Sequence, residues 1–100
     1  MNPMIVQAIK SRSVLSIYYK NEVESRLIEP FCYGINIFGK EFLRAYQAAG
    51  FSNHPNEVPN WRLFSVSEIS KIEAREIHFD GIRQGYNPND SIMSQIYCNI

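Results

Sequence analysis

Three arginines, Arg26, Arg44 and Arg62, are the residues of this sequence best suited to binding chemistry. Each stands in a short segment whose apolar residues alternate, a pattern typical of a β-strand. A guanidinium group presents a planar fork of N–H donors that matches the oxygens of a phosphate or a carboxylate. Three such groups brought together would therefore bind an anion.

The alternation of side chains along a strand predicts on which face of the sheet each arginine lies. Arg26 has the parity of Ile28, and Arg62 has the parity of Phe64, so both point towards the predicted core. When such an arginine stands at the start of a strand, its aliphatic carbons pack against the core while its guanidinium group reaches solvent at the edge of the core. Arg44 lies on the face of its strand that points away from the core. The three arginines can therefore form one site only if the ends of their strands come together.

An aromatic ring and an amide follow Arg44 along its strand. Tyr46 could stack on a base and Gln47 could donate or accept a hydrogen bond, although both also suit an ordinary strand end. The arginines could instead be neutralised by carboxylates, the candidates being Glu29, Glu41 and Glu68. Anion binding and internal ion pairing both remain open at this point.

Metal and catalytic chemistry have little support in the sequence. His54, His78, Cys32 and Cys98 are scattered, without the short ligand spacing of zinc sites. No nucleophile elbow, glycine-rich phosphate loop or paired carboxylate motif occurs. We therefore expect a non-enzymatic protein with no catalytic residues, no metal and no cofactor.

Length and composition favour a single domain without strong electrostatic bias. The chain has 100 residues, with ten basic and ten acidic side chains, and a pI near 6.7. A nucleic-acid site would therefore depend on local clustering of arginine and not on net charge. The sequence has no apolar run near the roughly 20 residues of a membrane span and no signal-peptide pattern. We expect a cytoplasmic protein without a membrane partner.

Periodicity predicts a short N-terminal helix followed by strands. Asn2 suits an N-cap, Pro3 suits the first helical position, and apolar residues at helical spacing continue to Ser11. From there the apolar period changes to two, and strands are predicted near 13–19, 25–33, 41–48, 61–66 and 71–79. Pro30 cannot donate to a sheet ladder, so it predicts a bulge, an edge or a bend.

The rest of the chain predicts a loop and a helical tail. Residues 49–60 are rich in Gly, Pro, Asn and Ser, which is typical of a loop that would shape specificity. A short C-terminal helix is predicted after residues 87–90, with the apolar residues Ile92, Met93, Ile96 and Tyr97. The predicted fold class is mainly β: residues 1–80 form a small five-stranded β-barrel with its N-terminal helix, and residues 81–100 form a helical tail of the same domain.

Four segments, in their order and spacing, resemble the WYL domain. They are residues 15–19 (LSIYY), 26–30 (RLIEP), 39–43 (GKEFL) and 62–66 (RLFSV), the last followed by Ile69. The resemblance covers roughly residues 4–79. The Trp-Tyr-Leu that gives the family its name is Glu41-Phe42-Leu43 here, so a carboxylate replaces the first aromatic residue and puts ligand binding in question.

The resemblance implies an Sm-like barrel that senses a small ligand, a nucleotide or single-stranded nucleic acid. Many relatives carry this domain behind a winged-helix DNA-binding domain and control transcription, often of phage-defence genes. The winged helix is not found in this sequence, so we expect contact with an operator to require a separate DNA-binding partner protein.

Residues and resemblance together predict a regulatory binding module for an anionic ligand, either a nucleotide or single-stranded nucleic acid. The predicted ligand-binding residues are Arg26, Arg44, Tyr46, Gln47 and Arg62. The alternative is a protein-interaction or oligomerisation module without ligand binding, for example a homodimer. The zero net charge, Glu41 and the apolar tail favour that alternative.

Overall fold

The computed structural model describes all 100 residues and has one short α-helix and six strands. The helix α1 spans Pro3–Ser11, and the strands are β1 Ser13–Tyr19, β2 Arg26–Ile35, β3 Glu41–Gly50, β4 Asn60–Ser65, β5 Ile69–His78 and β6 Gln95–Asn99. Two short 3₁₀ turns lie at Pro55–Glu57 and Val66–Glu68. The protein is mainly β, as predicted.

The helix α1 begins where the sequence predicts. The side-chain oxygen of Asn2 accepts hydrogen bonds from the backbone N–H groups of Met4 at 2.9 Å and Ile5 at 3.4 Å. This cap satisfies donors that have no partner within the helix, and Pro3 lacks such a donor altogether. One face of α1 packs on the sheet through Ile5, Ala8 and Ile9.

All strand pairs in the sheet are antiparallel, and the strand order is β4-β3-β2-β1-β5, with β6 also pairing with β2. The predicted closure into a barrel is not confirmed, because β4 and β5 are the two ends of this order and do not pair with each other. A 3₁₀ turn at Val66–Glu68 separates them, so they do not form a hairpin.

The predicted C-terminal helix is wrong, because residues 95–99 form the strand β6. The strand β1 pairs with β2 only along Arg26–Ile28, which leaves the same edge of β2 open further along. β6 fills this edge opposite Cys32–Ile35. Ile96 and Tyr97 have high β-propensity, so pairing with an open edge outweighs the helical spacing of the apolar residues.

Pro30 marks the point where β2 changes neighbours. The register between β2 and β3 shifts between Pro30 and Cys32, which confirms the predicted irregularity. The bend lets one long strand pair first with β1 and then with β6. Residues 95–99 of the predicted tail are therefore part of the same sheet as the rest of the chain.

The two faces of the sheet carry separate apolar clusters. The larger cluster packs beneath α1 and includes Leu15, Ile28 and Leu43. The smaller cluster lies on the opposite face, where Phe31 is fully buried against Val14 and Phe79. Trp61 and Tyr86 pack on that second cluster, and the segment after β5 thereby covers the outer face of the sheet.

Candidate ligand-binding pocket

A cavity of about 240 Å³ opens on the outer face, between the strands β3 and β4 and the segment 85–91. Its lining consists of Arg44, Trp61, Gly85, Tyr86, Asn87, Asp90 and Ser91. The volume lies below the roughly 300–1,000 Å³ usual for small-molecule sites. The pocket is therefore large enough for a single ring-sized group but small for a whole ligand of that class.

Arg44 reaches the pocket because strand alternation directs it away from the buried Leu43 and Ala45. Its Nε donates to Asp90 Oδ2 at 2.8 Å, and its Nη2 donates to Asp90 Oδ1 at 3.3 Å. The side chain of Arg44 is 28% exposed, whereas that of Asp90 is only 6% exposed. The pair engages Nε and Nη2, whereas Nη1 makes no hydrogen bond within the protein.

Asp90 is held as a carboxylate. Its burial alone would raise its pKa, but the hydrogen bond from Arg44 and the backbone N–H of Ile92 outweigh burial, so the pKa of Asp90 is lowered. The Ile92 N–H donates to Oδ1 at 3.1 Å. At neutral pH the pair is therefore charged but electrically balanced.

The aromatic wall of the pocket is formed by Trp61 and Tyr86. Their rings stack with centroids 5.8 Å apart and planes 21° from parallel. The Trp61 indole N–H donates to the Gln84 carbonyl at 2.8 Å, which fixes the ring. A Cβ at Gly85 would lie 3.1 Å from Trp61 Nε1, so glycine lets the segment pass close to the indole.

Tyr46 lies on the same face of β3 as Arg44, but another arginine covers it. The Arg83 guanidinium carbon lies 4.5 Å from the centre of the Tyr46 ring. Arg83 also donates to both carboxylate oxygens of Glu29, each at 2.8 Å. Tyr46 meets Trp61 edge-on at 5.5 Å and so supports the pocket wall from behind.

Arg26 and Gln47 lie together on the opposite face of the sheet, beside the larger cluster. Arg26 Nη1 donates to Gln47 Oε1 at 3.2 Å, and Glu22 accepts from Arg26 Nε at 3.0 Å and from Nη2 at 2.8 Å. Gln47 is fully buried and Arg26 nearly so. Each of the three guanidinium nitrogens of Arg26 thus has a hydrogen-bond partner inside the protein.

Arg62 occupies a third position. Its partner in the register is the buried Ala45, and its guanidinium donates to the carbonyls of Trp61 at 3.0 Å and Glu57 at 3.2 Å. These two hydrogen bonds connect the 3₁₀ turn in the 49–60 loop to the edge of β4. The five predicted site residues are therefore not brought into one site.

Of the residues that line the pocket, only Arg44 is among those predicted from the sequence. Trp61 lies in a predicted strand, and Gly85, Tyr86, Asn87, Asp90 and Ser91 lie in the predicted tail. Asp90 is 46 residues from Arg44, and no local pattern joins the two. The expected carboxylate partners also differ: Asp90 and Glu22 pair with arginines, while Glu41 accepts a hydrogen bond from the Tyr33 hydroxyl at 2.5 Å.

Three further observations bear on the class of protein. No group of three His, Cys, Asp or Glu side chains is placed to hold a metal ion. None of the helices has the length and apolar character needed to cross a bilayer. Comparison of the chain with protein-family models, with curated proteins and with solved structures gives no significant match.

Proposed function

We propose that the protein is a regulatory ligand-binding module and that the pocket at Arg44 receives a nucleotide or one nucleotide unit of a single strand. The observation that carries this proposal is the placement of Arg44 beside the Trp61–Tyr86 stack in one open pocket. The pocket offers a flat aromatic surface and a guanidinium donor to the same ligand. Nucleotides combine a stacking ring with an anionic group in the same way.

Stacking supplies the larger part of the expected affinity. Stacking of a base on an aromatic side chain contributes about 1–3 kcal/mol. Asp90 already neutralises Arg44, so the attraction between the pocket and a phosphate is limited to the remaining Nη1 donor. A ligand that carries both a base and a phosphate should therefore bind better than inorganic phosphate.

We also propose that the chain is a WYL-type module with an Sm-like barrel. The strand order β4-β3-β2-β1-β5, the preceding helix α1 and the 3₁₀ turn between β4 and β5 support this proposal. The motif residues Arg26, Pro30 and Arg62 all lie on these strands. In that role, ligand binding would be relayed to a separate DNA-binding partner.

Trp61 provides a direct assay, because it is the only tryptophan of the chain and lines the pocket. We expect saturable quenching of its fluorescence by nucleoside monophosphates. Arg44→Gln should weaken this binding about tenfold, through loss of a charged hydrogen bond. Arg75→Gln, which removes the same charge from the exposed face of β5, is the matched control and should bind as the wild type does.

The dependence of the binding constant on salt and on the length of the nucleic-acid strand tests the proposal further. With a single phosphate contact, the binding constant for a short single strand should fall with a log–log salt slope of about −0.7. Equal affinity for a mononucleotide and for a longer strand would place one nucleotide unit in the pocket. The absence of quenching by every nucleotide and strand, or equal binding by Arg44→Gln and Arg75→Gln, would contradict the proposed function.

A further inference from the structure

A buried arginine, Arg26, lies on the other face of the sheet with its guanidinium among aromatic rings. The residue is only 6% exposed. Its guanidinium carbon lies 5.5 Å from the centre of the Tyr19 ring and 5.7 Å from the centres of the Phe51 and Phe64 rings. A desolvated guanidinium among aromatic rings attracts an anion more strongly than an exposed one does.

The sheet holds this guanidinium in place through Gln47. The Gln47 amide donates to the Phe51 carbonyl at 2.7 Å and to the Ala49 carbonyl at 3.3 Å. These two contacts direct its Oε1 at Arg26 Nη1, 3.2 Å away. The donor side of the site is thus fixed by buried groups on β2 and β3.

The acceptor side comes from an exposed turn. Glu22 lies between β1 and β2, where its two carboxylate oxygens accept from Nε and Nη2 of Arg26. The neighbouring Val23 is 91% exposed, whereas the Glu22 side chain itself is 13% exposed. Lys20 and Asn21 adopt left-handed backbone conformations with φ of 52° and 57°. The Glu22 carboxylate is therefore carried by a turn that is less tightly packed than the strands that hold Arg26 and Gln47.

We propose that Glu22 is an internal occupant of an anion site at Arg26, and that a ligand carboxylate or phosphate replaces it when the turn moves aside. A carboxylate and a phosphate both present two oxygens to the forked donors of arginine. Glu22 competes at the high effective concentration of a tethered group, which keeps the site closed to weak anions. This site is separate from the Arg44 pocket, and its existence does not depend on nucleotide binding there.

The test compares thermal unfolding of the wild type and Glu22→Ala in inorganic phosphate and in acetate, at constant ionic strength. Without either anion, Glu22→Ala should unfold at a lower temperature, because Arg26 loses its buried partner. Either anion should restore stability, and the apparent affinity for it should exceed that of the wild type by at least about tenfold. Glu24→Ala, an exposed carboxylate of the same turn without an ion pair, should behave as the wild type does.

Comparison of the two anions identifies the ligand chemistry. A response to phosphate alone favours a phosphorylated ligand, and a response to acetate alone favours a carboxylate ligand. The double variant Glu22→Ala/Arg26→Met should show neither response. An equal response of the double variant, or no anion-dependent stabilisation of Glu22→Ala, would overturn the proposal. A Glu22→Ala protein that stays unfolded in both anions would also overturn it, because an anion at Arg26 should replace the missing carboxylate.

Discussion

Among single residues, Arg44 and Arg26 are two arginines whose guanidinium groups differ in solvent exposure and in hydrogen bonding. Arg44 is partly exposed and keeps Nη1 unpaired, whereas Arg26 is enclosed and paired on each of its donor atoms. Both form ion pairs, but their partners Glu22 and Asp90 are not among Glu29, Glu41 and Glu68, the carboxylates expected from the sequence. Sequence patterns identified the arginines but not their partners: Asp90 is 46 residues from Arg44, and Glu22, only four residues before Arg26, lies in a turn whose path the strand pattern does not predict.

The carboxylate of Asp90 gives a testable dependence of stability on pH. Burial would raise its pKa, but Arg44 and the Ile92 N–H bring it below the ordinary value of 3.8. A group whose pKa is lower in the folded state stabilises the fold above its unfolded pKa and loses that contribution as pH falls towards the folded value. In urea unfolding, we expect the wild type to lose stability as the pH falls below about 5, and Asp90→Asn to lose less.

The control for this measurement is Asp80→Asn, which removes an exposed carboxylate without an ion pair. It should keep the acid sensitivity of the wild type. If the stability of Asp90→Asn fell with pH as steeply as that of the wild type, the ion pair would not stabilise the folded state.

At the scale of elements, local signals predicted the first part of the chain better than the last. The Asn2 cap, the Pro3 start and the period-two pattern of 13–19 all agree with the observed α1 and β1. The error at 95–99 arose because a short apolar run suits either a helix or a strand. The open edge of β2 decides between a helix and a strand for these residues. That edge exists only once the whole sheet has formed.

Gly34 tests how closely β6 packs on β2. A Cβ at this position would overlap the Gln95 carbonyl and lie 3.0 Å from the Ile96 Cα, and both are backbone atoms that cannot rotate away. We expect Gly34→Ala to lower the free energy of unfolding by about 1–3 kcal/mol. Amide hydrogen exchange should also show loss of protection along β6 before the rest of the sheet.

Gly81→Ala is the matched control for Gly34→Ala. Gly81 has a φ of 73° with open space around it, so its substitution meets backbone strain but no overlap. It should leave the protection of β6 unchanged. Equal loss of β6 protection in the two variants would show that the close approach at Gly34 does not hold β6 in place.

The exposed edge of β4 is largely covered by side chains. The Trp61 N–H donates to the Asn60 side chain at 2.8 Å, and its carbonyl accepts from Arg62 at 3.0 Å. The Ser65 N–H donates to the Tyr19 hydroxyl at 3.0 Å. A strand from a second copy would have to displace these contacts in order to pair with β4.

At the scale of the whole molecule, the sheet separates the predicted arginines between its two faces. Arg44 and Tyr46 face the segment 79–92, while Arg26 and Gln47 face the side of the helix. Parity along β3 predicted this separation, since residues 44 and 47 differ by an odd number of positions. The pocket itself required the return of the C-terminal segment over the outer face, which no local pattern indicates.

Nucleotide binding at Arg44 on the outer face is the proposal on which the assigned role of the protein depends. The most direct test is a nuclear magnetic resonance titration of the ¹⁵N-labelled protein with a nucleoside monophosphate, which follows each N–H signal. We predict that the largest shifts occur at the Trp61 indole and at Gly85 and Asn87, and that Arg44→Gln reduces them. Shifts confined to the surroundings of Arg26 and Arg62, or no shifts at all, would contradict the claim.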